Sequence, residues 1–273
     1  MITNPANVNL NYDYPVQIGE GVYWIGFHDK ESGLHCNPYL IVDGEEAVVI
    51  DGGSRPDFPS VLMKILRTGV APSSIVALIY SHYDPDLVGS VHNFESIIDR
   101  KDLKIISDAS NNMFIRHYYV ESALSSVGSM NYEFRFSSGR TLRFIMAPYA
   151  HSQGSFVTFD SLSGIVFTGD IYGSIDANWE LFLKLDERCH ECDNPQVCIL
   201  GTSYCPLRGM MKFHRDVMTS EKSLQLAISR IMSLPVQMIA PQHGSIILDA
   251  KDIQYISRLL ASLRGVGVDG LSL

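Results

Sequence analysis

The chain reads as a mixed α/β protein, with two sheets sandwiched between helices in an αββα order. Three observations point this way: short apolar runs of strand length, helical periodicities placed between them, and two roughly similar halves. Periodicity alone supports only a mixed α/β class, and the two-sheet arrangement comes from the motifs below. The first half starts with strand-like Val16–Gly26. The apolar runs Tyr39–Val42 and Ala47–Ile50 follow, joined around Asp43-Gly44, a strong hairpin signal. Asp51-Gly52-Gly53 then turns the second run into a loop. Within Asp57–Gly69, Val61, Leu62, Ile65 and Leu66 fall at helical spacing and Gly69 is placed to end the helix. Ile75–Tyr80 reads as a buried strand, and Ser81–Asp86 as a polar loop.

Farther on, Lys104–Ser107, Leu142–Ala147, Ser155–Phe159, Gly164–Thr168 and Met238–Ala240 are strand-like. Asp108–Arg116, Arg215–Ser233 and Asp252–Leu263 are helix-like. No repeat or Pro/Gly/Ser-rich linker divides the chain, so residues 1–273 are expected to form one domain.

Composition narrows the function. Apolar residues make up 46% and charged residues 19% of the chain, ordinary for a packed protein. The net charge of −9 comes without any lysine and arginine cluster, which speaks against a nucleic-acid partner. No apolar run approaches the ~20 residues of a membrane helix, and Met1–Pro15 lacks the pattern of a secretory signal. A cytoplasmic location is expected, with no membrane partner. Five cysteines fit free thiols or metal ligands there better than a disulfide framework.

The chemistry concentrates after strand ends. His82-Tyr83-Asp84-Pro85-Asp86 puts one imidazole and two carboxylates at alternate positions, which extended backbone would send to one face. Pro148-Tyr149-Ala150-His151, Thr168-Gly169-Asp170 and Pro241-Gln242-His243-Gly244 each place a metal-competent residue just past a strand. Six donors on four strand ends suit two metal ions better than one. Asp170 is the natural bridge, because a carboxylate can span ions about 3.5–4 Å apart. Half the set is carboxylate, which favours iron or manganese over zinc, and iron is the choice adopted.

These segments carry a family resemblance. His82-Tyr83-Asp84-Pro85-Asp86-Leu87-Val88-Gly89-Ser90 resembles the His-Val-Glu-Pro-Asp-His-Ser-Gly-Ser signature of flavodiiron proteins, oxygen and nitric oxide reductases of the metallo-β-lactamase superfamily. Cys36-Asn37-Pro38-Tyr39-Leu40-Ile41 is similar to that family's Tyr-Asn-Ser-Tyr-Leu-Ile strand. Thr168-Gly169-Asp170-Ile171-Tyr172-Gly173 is similar to its Ser-Asn-Asp-Ala-Phe-Gly turn, and Pro241-Gln242-His243-Gly244 to its Pro-Ser-His-Gly. The matches run in order over almost the whole chain.

The resemblance implies a metallo-β-lactamase-like αββα sandwich holding two iron ions (Fe2+/Fe3+). His82, Asp84 and His151 would hold one, Asp86 and His243 the other, with Asp170 between them. A homodimer is implied as well. Three positions depart from the pattern. Asp84 replaces a longer glutamate, and Leu87 stands where the family usually has a histidine, leaving the second iron one nitrogen short. His151-Ser152-Gln153-Gly154-Ser155 lacks the usual tryptophan.

The family's flavodoxin-like domain has no counterpart before Leu273, so no FMN is expected. Two ferrous ions give only two electrons, which stops short of reducing oxygen to water and favours a bound oxygen adduct. In this the chain resembles the stand-alone oxygen-binding diiron proteins of the superfamily, regarded as oxygen sensors that feed signalling pathways. The expected ligand is dioxygen, with nitric oxide as a variant, and the expected protein partner belongs to signalling or electron transfer. The alternatives are an oxygen or nitric oxide reductase with an external donor, and a dizinc hydrolase.

Tyr172 follows the bridging aspartate and could donate a hydrogen bond to a bound oxygen species or simply fill the core. Tyr83 and Tyr149 more often pack, and His28 and His35 carry little information as lone histidines. Asp51 is expected to orient the loop bearing His82. Cys189, Cys192, Cys198 and Cys205, with nearby His190, form a cysteine-rich segment at about 189–205. It could take zinc or an iron–sulfur cluster, or act as a thiol switch or electron port. Cys36 reads as a small buried hydrophobe.

Overall fold

A computed structural model describes residues 10–27, 33–192 and 194–272. The first sheet runs β1 (Val16–Gly19), β2 (Val22–Trp24), β3 (Tyr39–Asp43), β4 (Glu46–Ile50), β5 (Ile75–Ile79), β6 (Lys104–Ser107) and β7 (Ala123–Ser126), in that spatial order. Its β1–β4 are antiparallel and β4–β7 parallel. The second sheet holds β8 (Glu133–Arg135), β9 (Thr141–Met146), β10 (Phe156–Asp160), β11 (Ile165–Phe167) and β12 (Met238–Ala240), in the order β12-β11-β10-β9-β8.

Helices α1 (Phe58–Arg67), α2 (Pro85–Val88), α3 (Val91–Ile98) and α4 (Ala109–Ile115) lie within the first half. Helices α5 (Pro206–Val217), α6 (Glu221–Met232) and α7 (Ala250–Ala261) lie within the second. Three apolar layers bind the sandwich. Ile41, Val48, Ile79, Phe144, Phe156 and Phe167 pack between the sheets. Leu40, Val49, Leu78 and Phe94 pack beneath the first helices, and Val166, Ile239, Leu224 and Ile256 beneath the second. Adjacent residues such as Val48 and Val49 thus bury opposite faces of one strand, which is why these strands read as unbroken apolar runs.

The αββα expectation holds, and so does the hairpin, whose strands pair from Tyr39↔Ile50 to Asp43↔Glu46. Gly69 follows α1 at φ +86° with its N–H on the Leu66 carbonyl, as expected of a helix stop.

Several boundaries differ. Val16–Gly26 is two strands, because the chain turns at Glu20-Gly21. Arg215–Ser233 is the end of α5 and then all of α6. Ser220 breaks the run by capping: its hydroxyl accepts from the Ser223 N–H while Ser223 caps back. The loop expected over Ser81–Asp86 instead runs into α2 at Pro85. No described helix is long and apolar enough to cross a membrane.

Candidate metal centre

Four strand ends deliver the site. The first sheet supplies His82, Asp84 and Asp86 just past β5. The second supplies His151 after β9, Asp170 after β11 and His243 after β12. The carboxylates of the first stretch do not converge through extended backbone as expected. Asp84 is extended and stands at the N-cap of α2 without capping it, while Asp86 lies in the first helical turn.

All six predicted residues meet. Asp170 Oδ1 lies 3.8 Å from His82 Nε2 and 3.6 Å from His243 Nε2, and Asp170 Oδ2 lies 3.5 Å from His151 Nε2. Asp84 Oδ2 is 3.1 Å from His151 Nε2 and 3.7 Å from His82 Nε2; Asp86 Oδ2 is 3.1 Å from His243 Nε2. One cluster therefore gathers His82, Asp84 and His151, a second gathers Asp86 and His243, and Asp170 stands between them.

Supporting bonds aim the imidazoles. Asp51, buried, accepts the Ser81 N–H at 2.9 Å and the Ser81 hydroxyl, and Ser81 Oγ lies 3.2 Å from His82 Nδ1. With the proton on Nδ1, His82 keeps the Nε2 lone pair facing the cluster. His243 does the same by donating from Nδ1 to the His35 carbonyl at 3.0 Å. Asn111 of α4 donates to Ser107 Oγ and to the Gly154 carbonyl, tying down the loop of His151. Gly169, at φ +55°, meets Ser81 so closely that an added Cβ would sit 2.8 Å from Oγ.

Charge follows position. Burial works against protonation of His151 and His243, yet the Asp84 contact on the first and the Asp86 and Cys36 contacts on the second outweigh it, raising both pKa values. Burial wins at His82, whose pKa is lowered despite Asp170. Partial burial works to raise Asp84 and Asp86, but His151 and His243 hold them below the usual carboxylate range. Burial pushes Asp51 up to about 7 against its Ser81 bonds.

The residues fit metal ions. His82 Nε2, Asp170 Oδ1 and both amide atoms of the Gln242 side chain are buried without a hydrogen-bond partner among the described residues. Buried polar atoms left so are rare, and an imidazole lone pair facing a carboxylate oxygen is what a cation would satisfy.

The remaining expectations sort as follows. Leu87 is fully buried in the apolar layer beneath the first helices. The Tyr172 hydroxyl engages Ser257 Oγ of α7 at 2.7 Å, the placement of a core tyrosine with a partner. Tyr83 stacks on Phe114, and Tyr149 is exposed. His35 contributes its carbonyl, not its ring, which stacks on Trp179. His28 lies outside the described residues. Among the described residues, no three donors including Cys189, Cys192, Cys198 or Cys205 converge at ligand distance, so zinc or iron–sulfur in that segment lacks a donor set. His190 instead pairs with Asp252 at 2.6 Å.

Two neighbours of the site escaped the sequence reading. Cys36, taken for an apolar filler, has its Sγ within 4.8 Å of donor atoms of Asp86 and His243. His214 accepts the Tyr172 N–H on Nε2 at 3.0 Å and donates from Nδ1 to the Met210 carbonyl, pinning the turn that carries Asp170. Both contacts join residues far apart in the chain, and no local spacing announces them.

Asp51 offers a first test. Asp51→Ala leaves the buried Ser81 N–H unpaired, so chemical denaturation should show a loss of about 1–3 kcal/mol. Metal titration should show affinity lower by about 10–100-fold, because His82 loses its support.

Comparison with known proteins finds relatives in sequence and in fold. Residues 34–244 match the family described as ODP family beta lactamase. A putative diflavin flavoprotein A 1 from Nostoc sp. is 22% identical over 79% of this chain and 34% of its own. The chain spans between about a third and just over half of the curated relatives it matches. The structure of a peroxy diiron species of a chemotaxis sensor ODP aligns at TM-score 0.71 and 23% identity, covering 94% of this chain and 97% of that one. The rubredoxin oxygen:oxidoreductase of Desulfovibrio gigas aligns at TM-score 0.74 and 19% identity, covering 90% and 60%.

Proposed function

The chain belongs to the ODP family of β-lactamase-like proteins, and we propose from that membership and the pocket that it binds dioxygen at a two-iron centre, as an oxygen sensor. The observation that carries this reading is the central carboxylate: Asp170, buried, stands between two histidine–aspartate clusters, with its Oδ1 and His82 Nε2 unpartnered among the described residues. His82, Asp84 and His151 would hold one ion and Asp86 and His243 the other, with Asp170 touching both. Ferrous ions there supply a place for dioxygen and one electron each. The protein's own residues would fix the ions and present Nε2 lone pairs, with His82, Asp170 and His243 buried and Asp84, Asp86 and His151 partly open to solvent. The named sensor structure, similar over nearly its whole length, supports sensing above turnover.

Protein loaded anaerobically with iron should hold about two ions per chain and change its absorption spectrum stably on meeting oxygen. Failure to bind iron under those conditions ends the proposal. The likeness to the Desulfovibrio gigas oxidoreductase favours a second reading, reduction of oxygen or nitric oxide with an external donor. Sustained gas consumption with a reducing partner would select it, and none with several donors would remove it. A homodimer and a signalling partner belong to the same proposal; sedimentation of the full chain decides the first.

A further inference from the structure

The two metal positions are unequally furnished. The first has His82, Asp84, His151 and Asp170, four protein donors. The second has Asp86, His243 and Asp170, only three, and neighbouring Leu87 lies buried in the apolar layer and offers none. The Cys36 thiol stands beside this poorer cluster. It is 3% exposed, and its Sγ, an Asp86 carboxylate oxygen and a His243 ring nitrogen all lie within 4.8 Å of one another. Asp170, 6% exposed, aims its unpartnered Oδ1 at His243 from the other side.

The thiol is held there by structure. The next residue, Asn37, donates its N–H to the Gln242 carbonyl at 2.8 Å and its side-chain amide to the Pro241 and Gly244 carbonyls. Its Oδ1 receives the Trp24 indole N–H. Three bonds thus lock the segment of Cys36 against the Pro241–Gly244 loop that carries His243, and the Trp24 bond fixes Asn37 from β2. A thiol serving only as a small hydrophobe would be packed among apolar groups, whereas this one faces a carboxylate and an imidazole.

We propose that Cys36 is the fourth protein ligand of the second metal ion, binding as a thiolate. The inference rests on the two-metal reading above and adds a sulfur donor to it. The thiol releases its proton to solvent as the metal binds, and the S–metal bond takes its place. One ion is then bound by nitrogen and oxygen alone and the other by sulfur, nitrogen and oxygen, so the two differ in chemistry.

Cobalt(II) tests this without oxygen chemistry, since a thiolate bound to cobalt gives an intense near-ultraviolet charge-transfer band. The decisive protein is the full chain with Cys189→Ser, Cys192→Ser, Cys198→Ser and Cys205→Ser, because Cys36 is then its only thiol. The expected result is the band in this variant, appearing with the second equivalent of cobalt. In the companion Cys36→Ser protein, checked for folding by circular dichroism, no band should appear with the second equivalent. Its affinity for that equivalent should fall at least about tenfold. Two cobalt ions bound without a band in the Cys36-only chain would overturn the sulfur ligand and leave the two-metal site standing. No cobalt pair in any protein would overturn both.

Discussion

Asp170→Asn is expected to abolish paired metal binding. Among the described residues, Asp170 alone has a carboxylate facing all three site histidines, with Oδ1 toward His82 and His243 and Oδ2 toward His151. An amide offers one neutral acceptor and turns two donor hydrogens toward the other position, where a cation would be repelled. Two dications in one pocket also need the negative charge that the substitution removes. Outer supports of metal ligands cost about 10–100-fold in affinity, so loss of the shared ligand should exceed about 100-fold. Each hundredfold loss removes about 2.7 kcal/mol of metal-linked stabilisation. The shift in melting temperature on adding metal should therefore collapse in the variant. Two ions bound at undiminished affinity would show that Asp170 does not bridge.

The second large effect belongs to His214. Fully buried, it is held neutral, and burial lowers its pKa to about 4 despite the Met210 carbonyl on Nδ1. In the unfolded chain it takes a proton near pH 6.5. Between pH 6.5 and about 4 the unfolded state thus binds more protons than the folded one. The stabilisation is whole above pH 6.5 and drains away on acidification, by about 3 kcal/mol across that window. His214→Gln, with an acceptor kept but no titration, should flatten this part of the stability–pH curve. His214→Ala should also lose about 1–3 kcal/mol at neutral pH by orphaning the Tyr172 N–H. Tyr172, at φ +68°, is strained backbone that depends on such support. Denaturant melts at several pH values check both, and an unchanged acid limb in the glutamine variant would exclude His214 as its source.

The sequence made the candidate ligands legible because each follows an apolar run that ends abruptly, as β5 ends before His82 and β12 before His243. Strands buried on both faces announce themselves; β7, with the half-polar pattern Ala-Leu-Ser-Ser, and the three-residue β8 do not. Helix α2 hid behind a stretch whose polar residues line the candidate site. The α5–α6 break was missed because Met218-Thr219-Ser220 interrupts a continuous helical periodicity by capping alone. Cys36 and His214 meet the site through contacts made only when distant segments dock, and residue type gives no hint of them.

Because the candidate donors straddle the seam between two sheets, with Ser81 and Gly169 close across it, ions held there would act as a clasp. Neither half of the chain alone presents a complete pocket, so opening the seam must release the metal. A chelator should then lower the resistance of the entire sandwich to unfolding, and the lifetime of the folded protein should follow the supply of its metal.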